Sequence, residues 1–131
     1  MNKVLQPGSW KSPKGYSNGI AAEGTQIFVA GQIGWTADEQ IVSGGFVPQT
    51  KQALENIVAV LAEAGAKPEH VVRMTWYITD KQEYLAVQKE LGAVYKEIIG
   101  PNYPAMTLVQ VADLLEEGAK VEIEVTAVLP K

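Results

Sequence analysis

The amino-acid sequence predicts an α+β domain in the order β-β-α-β-α-β-β, a single sheet with two helices on one face. Three observations carry that prediction. Two segments repeat apolar residues at helical spacing, four segments alternate them, and the Gly/Pro/Ser clusters between are too short to be linkers. With 131 residues, 47% hydrophobic and 20% charged, residues 1–131 read as one domain. At this length roughly two-thirds of the unfolded surface is buried on folding, enough for a core without metal or disulfide staples.

Gly19 to Ala22 reads as a short strand that turns at Glu23-Gly24-Thr25 to pair with the next. In that next strand Ile27, Val29, Gly31 and Ile33 alternate with Gln26, Phe28, Ala30 and Gln32. From Gln49 to Ala64 the stripe Leu54, Ile57, Val58, Leu61 marks a helix, and Gly65 supplies a left-handed stop. Val72, Met74, Trp76 and Ile78 then alternate with Arg73, Thr75, Tyr77 and Thr79. Asp80 is placed to cap a second helix, with Glu83 three residues on as its capping-box partner. That helix buries Tyr84, Val87, Leu91, Val94 or Tyr95, and Ile98, and ends at Gly100-Pro101. Gly92 weakens it by up to about 1 kcal/mol relative to alanine. Met106 to Val111 is a further strand. In the last, Val121, Ile123, Val125, Ala127 and Leu129 oppose Glu122, Glu124, Thr126 and Val128.

The other face of the sheet carries Phe28, Ala30, Tyr77, Val109, Val111 and Val128 rather than a run of charges. Two helices cover only one face, so the second is expected to pack against another subunit.

Composition excludes several chemistries. Zero cysteines remove disulfides, thiolate metal sites and a cysteine nucleophile, and the lone His70 leaves neither a zinc site nor a Ser-His pair. Fifteen acidic against eleven basic residues give a net charge of −4, opposed to a nucleic-acid or anionic-membrane binder. There is no Walker motif, GxGxxG or GxSxG. Gly31-Gln32-Ile33-Gly34 matches a bare GxxG, read here as a strand end where backbones approach closely. The N-terminal residues lack a signal-peptide pattern and no segment is apolar enough to span a membrane, so a soluble cytoplasmic protein is expected. Glu122 and Glu124 share a strand face, which suits acid–base work or an oxygen-ligand metal site, or structural pairing with Lys and amides. Trp10, Tyr16 and Trp35 either line a pocket or cap the core.

Read in order, the motifs converge. They are Tyr16-Ser17-Asn18-Gly19, Val29-Ala30-Gly31-Gln32-Ile33, Gln49-Thr50, Ala53-Leu54-Glu55-Asn56, Leu61 to Gly65, Thr75 to Asp80, Tyr103-Pro104-Ala105 and Val121 to Glu124. In this order and spacing the sequence closely resembles the Rid (YjgF) superfamily, best known for enamine/imine deaminases. The resemblance implies a chorismate-mutase-like fold, a homotrimer with clefts between subunits, a small-molecule metabolite as partner, and no cofactor or metal. In RidA-type members a cleft arginine holds the substrate carboxylate while water hydrolyses an imine or enamine to a 2-oxo acid and ammonia.

Carried over residue by residue, Tyr16 and Glu122 are the expected catalytic residues, with Glu122 positioning or activating water. Gly31 matches the family glycine, Ala30 replaces the usual serine, and Gln88 stands where asparagine is common. The family arginine position holds Met106, in Pro104-Ala105-Met106-Thr107. A guanidinium binds a carboxylate by charge and geometry at once, whereas a thioether offers only apolar contact. Met106, Thr107, Leu108 and Trp35 are therefore expected to line a more apolar cleft for a substrate less dependent on its carboxylate. A non-catalytic metabolite-binding trimer is the alternative, and an endoribonuclease the weakest.

Overall fold

The computed structural model describes residues 2–131. Its strands are β1 (Lys3–Leu5), β2 (Gly19–Ala21), β3 (Thr25–Ile33), β4 (Val71–Ile78), β5 (Ala105–Gln110) and β6 (Val121–Leu129). Its helices are α1 (Phe46–Glu63), α2 (Lys81–Ala86) and α3 (Gln88–Ile98), with a 3₁₀ turn at Pro68–His70. The main sheet has the order β3-β6-β4-β5, antiparallel except for the parallel pair β4 and β5. A parallel pair needs a crossover, and α2 and α3 provide it. Helix α1 packs on β3, β6 and α3, so both helical segments lie on one sheet face, as the α+β prediction requires.

The core lies between that face and the helices. Leu54, Ile57 and Leu61 of α1 are fully buried against Met74, Ile78, Val121 and Ile123 of the sheet. Gln49, 3% exposed, ties α1 to the entry of β6. Its Nε2 donates to the Gly118 carbonyl at 2.9 Å, and its Oε1 accepts from the Lys120 amide at 2.8 Å. Gly65 takes φ 73° and Ala66 N–H returns to the Leu61 carbonyl at 3.0 Å, closing α1 as expected.

Four expectations need correction. β2 does not pair with β3. It joins β1 in a separate two-stranded ribbon, with Val4 opposite Ile20, a long-range partner that local turn chemistry does not encode. Helix α1 begins three residues early, at Phe46, because Pro48 in a first helical turn loses no hydrogen bond. The second helix is broken at Val87, whose φ of −125° and ψ of 25° leave the helical region. Its N–H closes α2 on the Tyr84 carbonyl at 3.2 Å. Asp80 caps α2 by accepting from the amides of Gln82 and Glu83, but Glu83 completes no capping box. The Lys120 ammonium donates to its carboxylate at 3.2 Å instead, and a charged donor outcompetes a backbone amide.

Candidate functional site

The residues singled out from sequence fall into separate groups, set by strand parity. Met106 and Leu108 share the helix-side face of β5 with Met74 and Trp76 of β4, to which they are in register. The segment carrying Tyr16 is stitched alongside by Ser17. The Ser17 N–H donates to the Pro104 carbonyl at 2.9 Å, and its hydroxyl to the Tyr103 carbonyl at 2.5 Å. Lys14, Gly15 and Tyr16 thereby border Met106, Leu108 and Tyr84. Next to them a groove of about 350 Å³ opens between β5 and the crossover helices. Met106, Gln88, Tyr84, Trp76 and Tyr103 line it, with Lys14 at its margin. Tyr103 stacks on Tyr95 at 5.7 Å between ring centres.

Trp76 is 4% exposed, and its indole Nε1–H is buried without an acceptor among the described residues. An orphaned buried donor costs about 1–3 kcal/mol. Burial also raises the Tyr95 hydroxyl far above the ordinary tyrosine range, with Tyr103 adding to it. That hydroxyl stays protonated and donates to the Asn102 carbonyl.

Gly31 and Glu122 form a second group. β3 bulges between Val29 and Gln32, and Gly31 lies directly against the Glu122 carboxylate, leaving no room for a Cβ. At Gly34 the α1 backbone at Gln49 comes as close. The GxxG run is thus a strand end that needs close approach on both sides.

Ala30 and Thr107 lie on the open face, bordering a concavity of about 600 Å³ with Arg73, Thr75, Tyr77 and Glu124. Arg73 therefore sits on the sheet face opposite Met106 and does not replace the missing guanidinium. Tyr77 Oη donates to Glu124 Oε1 at 2.6 Å. This hydrogen bond, with desolvation and the charges of Glu124 and Glu122, raises the Tyr77 hydroxyl above its ordinary value against the pull of Arg73. Glu124 is occupied by that bond, while Glu122 is turned to Gly31. Of the expected open-face apolar residues, Phe28 is 71% exposed, whereas Val128 is buried within the chain. Trp35 joins neither group; it follows β3, and Asn56 Nδ2 donates to its carbonyl at 2.9 Å. No cluster of three His, Asp or Glu side chains able to hold a metal ion occurs among the described residues. No helix among them is long and apolar enough to cross a membrane.

A family profile described as Endoribonuclease L-PSP matches residues 9–129. The chain belongs to the Rid (YjgF) family. A 2-iminobutanoate/2-iminopropanoate deaminase of Homo sapiens is 35% identical over 114 residues, covering 86% of this chain and 79% of that protein. A RutC family protein of Synechocystis is 37% identical over 131 residues, covering 98% and 97%. Among solved structures, the Rid-family protein YyfB of Yersinia pestis superposes with a TM-score of 0.83 at 31% identity, covering 98% of each chain. RidA from an Antarctic Psychrobacter gives 0.70 at 28% identity, over 96% of this chain and 98% of that one. Within this Rid chain, Lys14, Trp76, Tyr84 and Tyr103 border the groove without having been expected from sequence as site residues. Trp76 and Tyr84 carry core periodicity, which hides a second role, and Lys14 lies in a segment without periodicity.

Proposed function

We propose that this Rid protein is a homotrimeric hydrolase of reactive enamine or imine metabolites, working in clefts between subunits in the cytoplasm. One observation carries the reading: the two groups of site residues are separated by the sheet of a single chain. Tyr16, Gln88, Met106 and Leu108 lie by the helix-side groove, and Gly31 and Glu122 lie at the β3–β6 bulge. A cleft between copies unites one group from each. The exposed Phe28 on the open sheet face supports such packing, because a large aromatic at 71% exposure gains most from a partner.

In this cleft water adds to the carbon of the C=N bond while the Glu122 carboxylate accepts its proton. That proton passes to the nitrogen to complete the carbinolamine; its hydroxyl proton is then transferred to the nitrogen as the C–N bond breaks, leaving ammonia and the C=O of a 2-oxo acid. Tyr16 contributes a polar contact to the bound substrate. Met106 in place of arginine shifts substrate choice away from short imino acids held by a guanidinium fork.

The test is hydrolysis of 2-iminobutanoate generated in situ, comparing wild type, Met106→Arg and Glu122→Gln. Slow acceleration by wild type, a gain in Met106→Arg and loss in Glu122→Gln are expected. If neither wild type nor Met106→Arg accelerates the reaction, the hydrolase reading fails. The Met106 substitution equally favours a non-catalytic binder of small metabolites, whose signature is a ligand-raised Tm without turnover.

A further inference from the structure

Resting on the reading of the groove as a substrate site, we infer that Lys14 supplies the substrate-anchoring charge that position 106 lacks, and that the groove takes a carboxylate with a bulky apolar or aromatic body. Two observations combine. The Ser17 stitch to Tyr103 and Pro104 places Lys14 at the groove margin, bordering Met106. No carboxylate lies within ion-pair distance of Lys14 among the described residues, whose pairs are Lys51–Glu97 and Lys120–Glu83.

An unpaired ammonium at the margin of an aromatic, apolar groove is complementary to an anion carried on an apolar body, and a 2-oxo or 2-imino acid presents a carboxylate for Lys14. The rings of Tyr84 and Tyr103 and the Met106 thioether offer the rest of the ligand a polarizable apolar surface. A lysine is a point charge on a flexible stem and fixes no planar geometry. It therefore tolerates the displacement of the carboxylate that a large body imposes. The volume of about 350 Å³ accommodates an aromatic amino-acid skeleton.

The probe is phenylpyruvate, with phenylacetone as the same body lacking the carboxylate, titrated calorimetrically into wild type, Lys14→Gln and Lys14→Arg. Phenylpyruvate is expected to bind wild type and Lys14→Arg, and to bind Lys14→Gln about tenfold or more weakly. Phenylacetone should bind weakly, with no dependence on Lys14. Equal affinity in wild type and Lys14→Gln, or no binding of phenylpyruvate at millimolar concentration, overturns the inference. Lys14 is exposed, so its variants remain folded and decide the matter. Binding is read without turnover, so the two readings fail separately. Lys14-dependent binding without imine hydrolysis sinks only the hydrolase. Hydrolysis of the phenylalanine-derived imine with unchanged kcat/KM in Lys14→Gln sinks only the role of Lys14.

Discussion

Gly31 and the carboxylate of Glu122 occupy adjoining space, so that a methyl group at position 31 would overlap the Glu122 side chain. What such a methyl displaces is the end of a flexible side chain rather than backbone. Gly31→Ala should therefore cost only about 1 kcal/mol, at the low end of overpacking penalties. Activity should suffer more, because the displaced group is the proposed water-positioning carboxylate. Urea melts alongside imine hydrolysis check this: a variant as active as wild type would remove Glu122 from the chemistry.

Phe28 supplies a direct test of assembly. Light scattering of wild type at micromolar concentration is expected to give three times the 14.2 kDa chain mass. Phe28→Glu puts a charge on the open face and should shift the protein toward monomer. A wild-type monomer would end the intersubunit cleft.

The Tyr95 hydroxyl predicts alkaline behaviour. Its pKa is raised in the folded state by burial, so above about pH 10, where an unfolded tyrosine ionises, the native state holds the extra proton. The unfolded state then binds fewer protons, and stability falls as pH rises. Denaturation measured between neutral and strongly alkaline pH should show that decline. Tyr95→Phe should flatten it, and an equal slope in that variant would assign the effect elsewhere.

The stitch at Ser17 has its own expectation. Ser17→Ala removes the hydroxyl donated to the Tyr103 carbonyl and should cost about 1 kcal/mol. Phenylpyruvate affinity should fall as well, because Lys14 and Tyr16 lose their registration against β5. A loss of stability with unchanged affinity would leave Ser17 a purely structural role.

Much of the fold was legible in sequence, for local reasons. β6 is found at the bounds that its alternation of Val, Ile and Glu indicates, and β4 starts one residue before them. Asp80 caps α2 and Gly65 closes α1, each through chemistry contained within a few residues. The misses are non-local. Lys3–Leu5 is too short for any period to register, and its pairing with Gly19–Ala21 depends on chain far along the sequence. Glu83 sits at a capping-box position but meets Lys120, 37 residues away, a competitor that spacing does not reveal. The break at Val87 interrupts a stripe that continues through it in sequence.

The candidate site was legible only through family resemblance, and only as one set of residues. Strand parity divides the set: Met106 and Leu108 turn toward the helices, while Thr107 between them turns to the open face. Trp76 fits the core pattern completely, and its unpartnered N–H belongs to the three-dimensional arrangement alone.

The parallel pairing of β4 and β5 has a consequence for how this protein diversifies. The groove floor at Trp76 and Met106, and the wall at Tyr84 and Gln88, belong to one continuous strand–crossover–strand stretch. The Gly31–Glu122 contact belongs to β3 and β6. The floor and wall of the groove and the Gly31–Glu122 contact thus reside in different stretches of chain. Exchange of residues 76–108 with those of a relative would transplant the floor and wall while leaving the Lys14–Tyr16 margin and the Gly31–Glu122 contact in place.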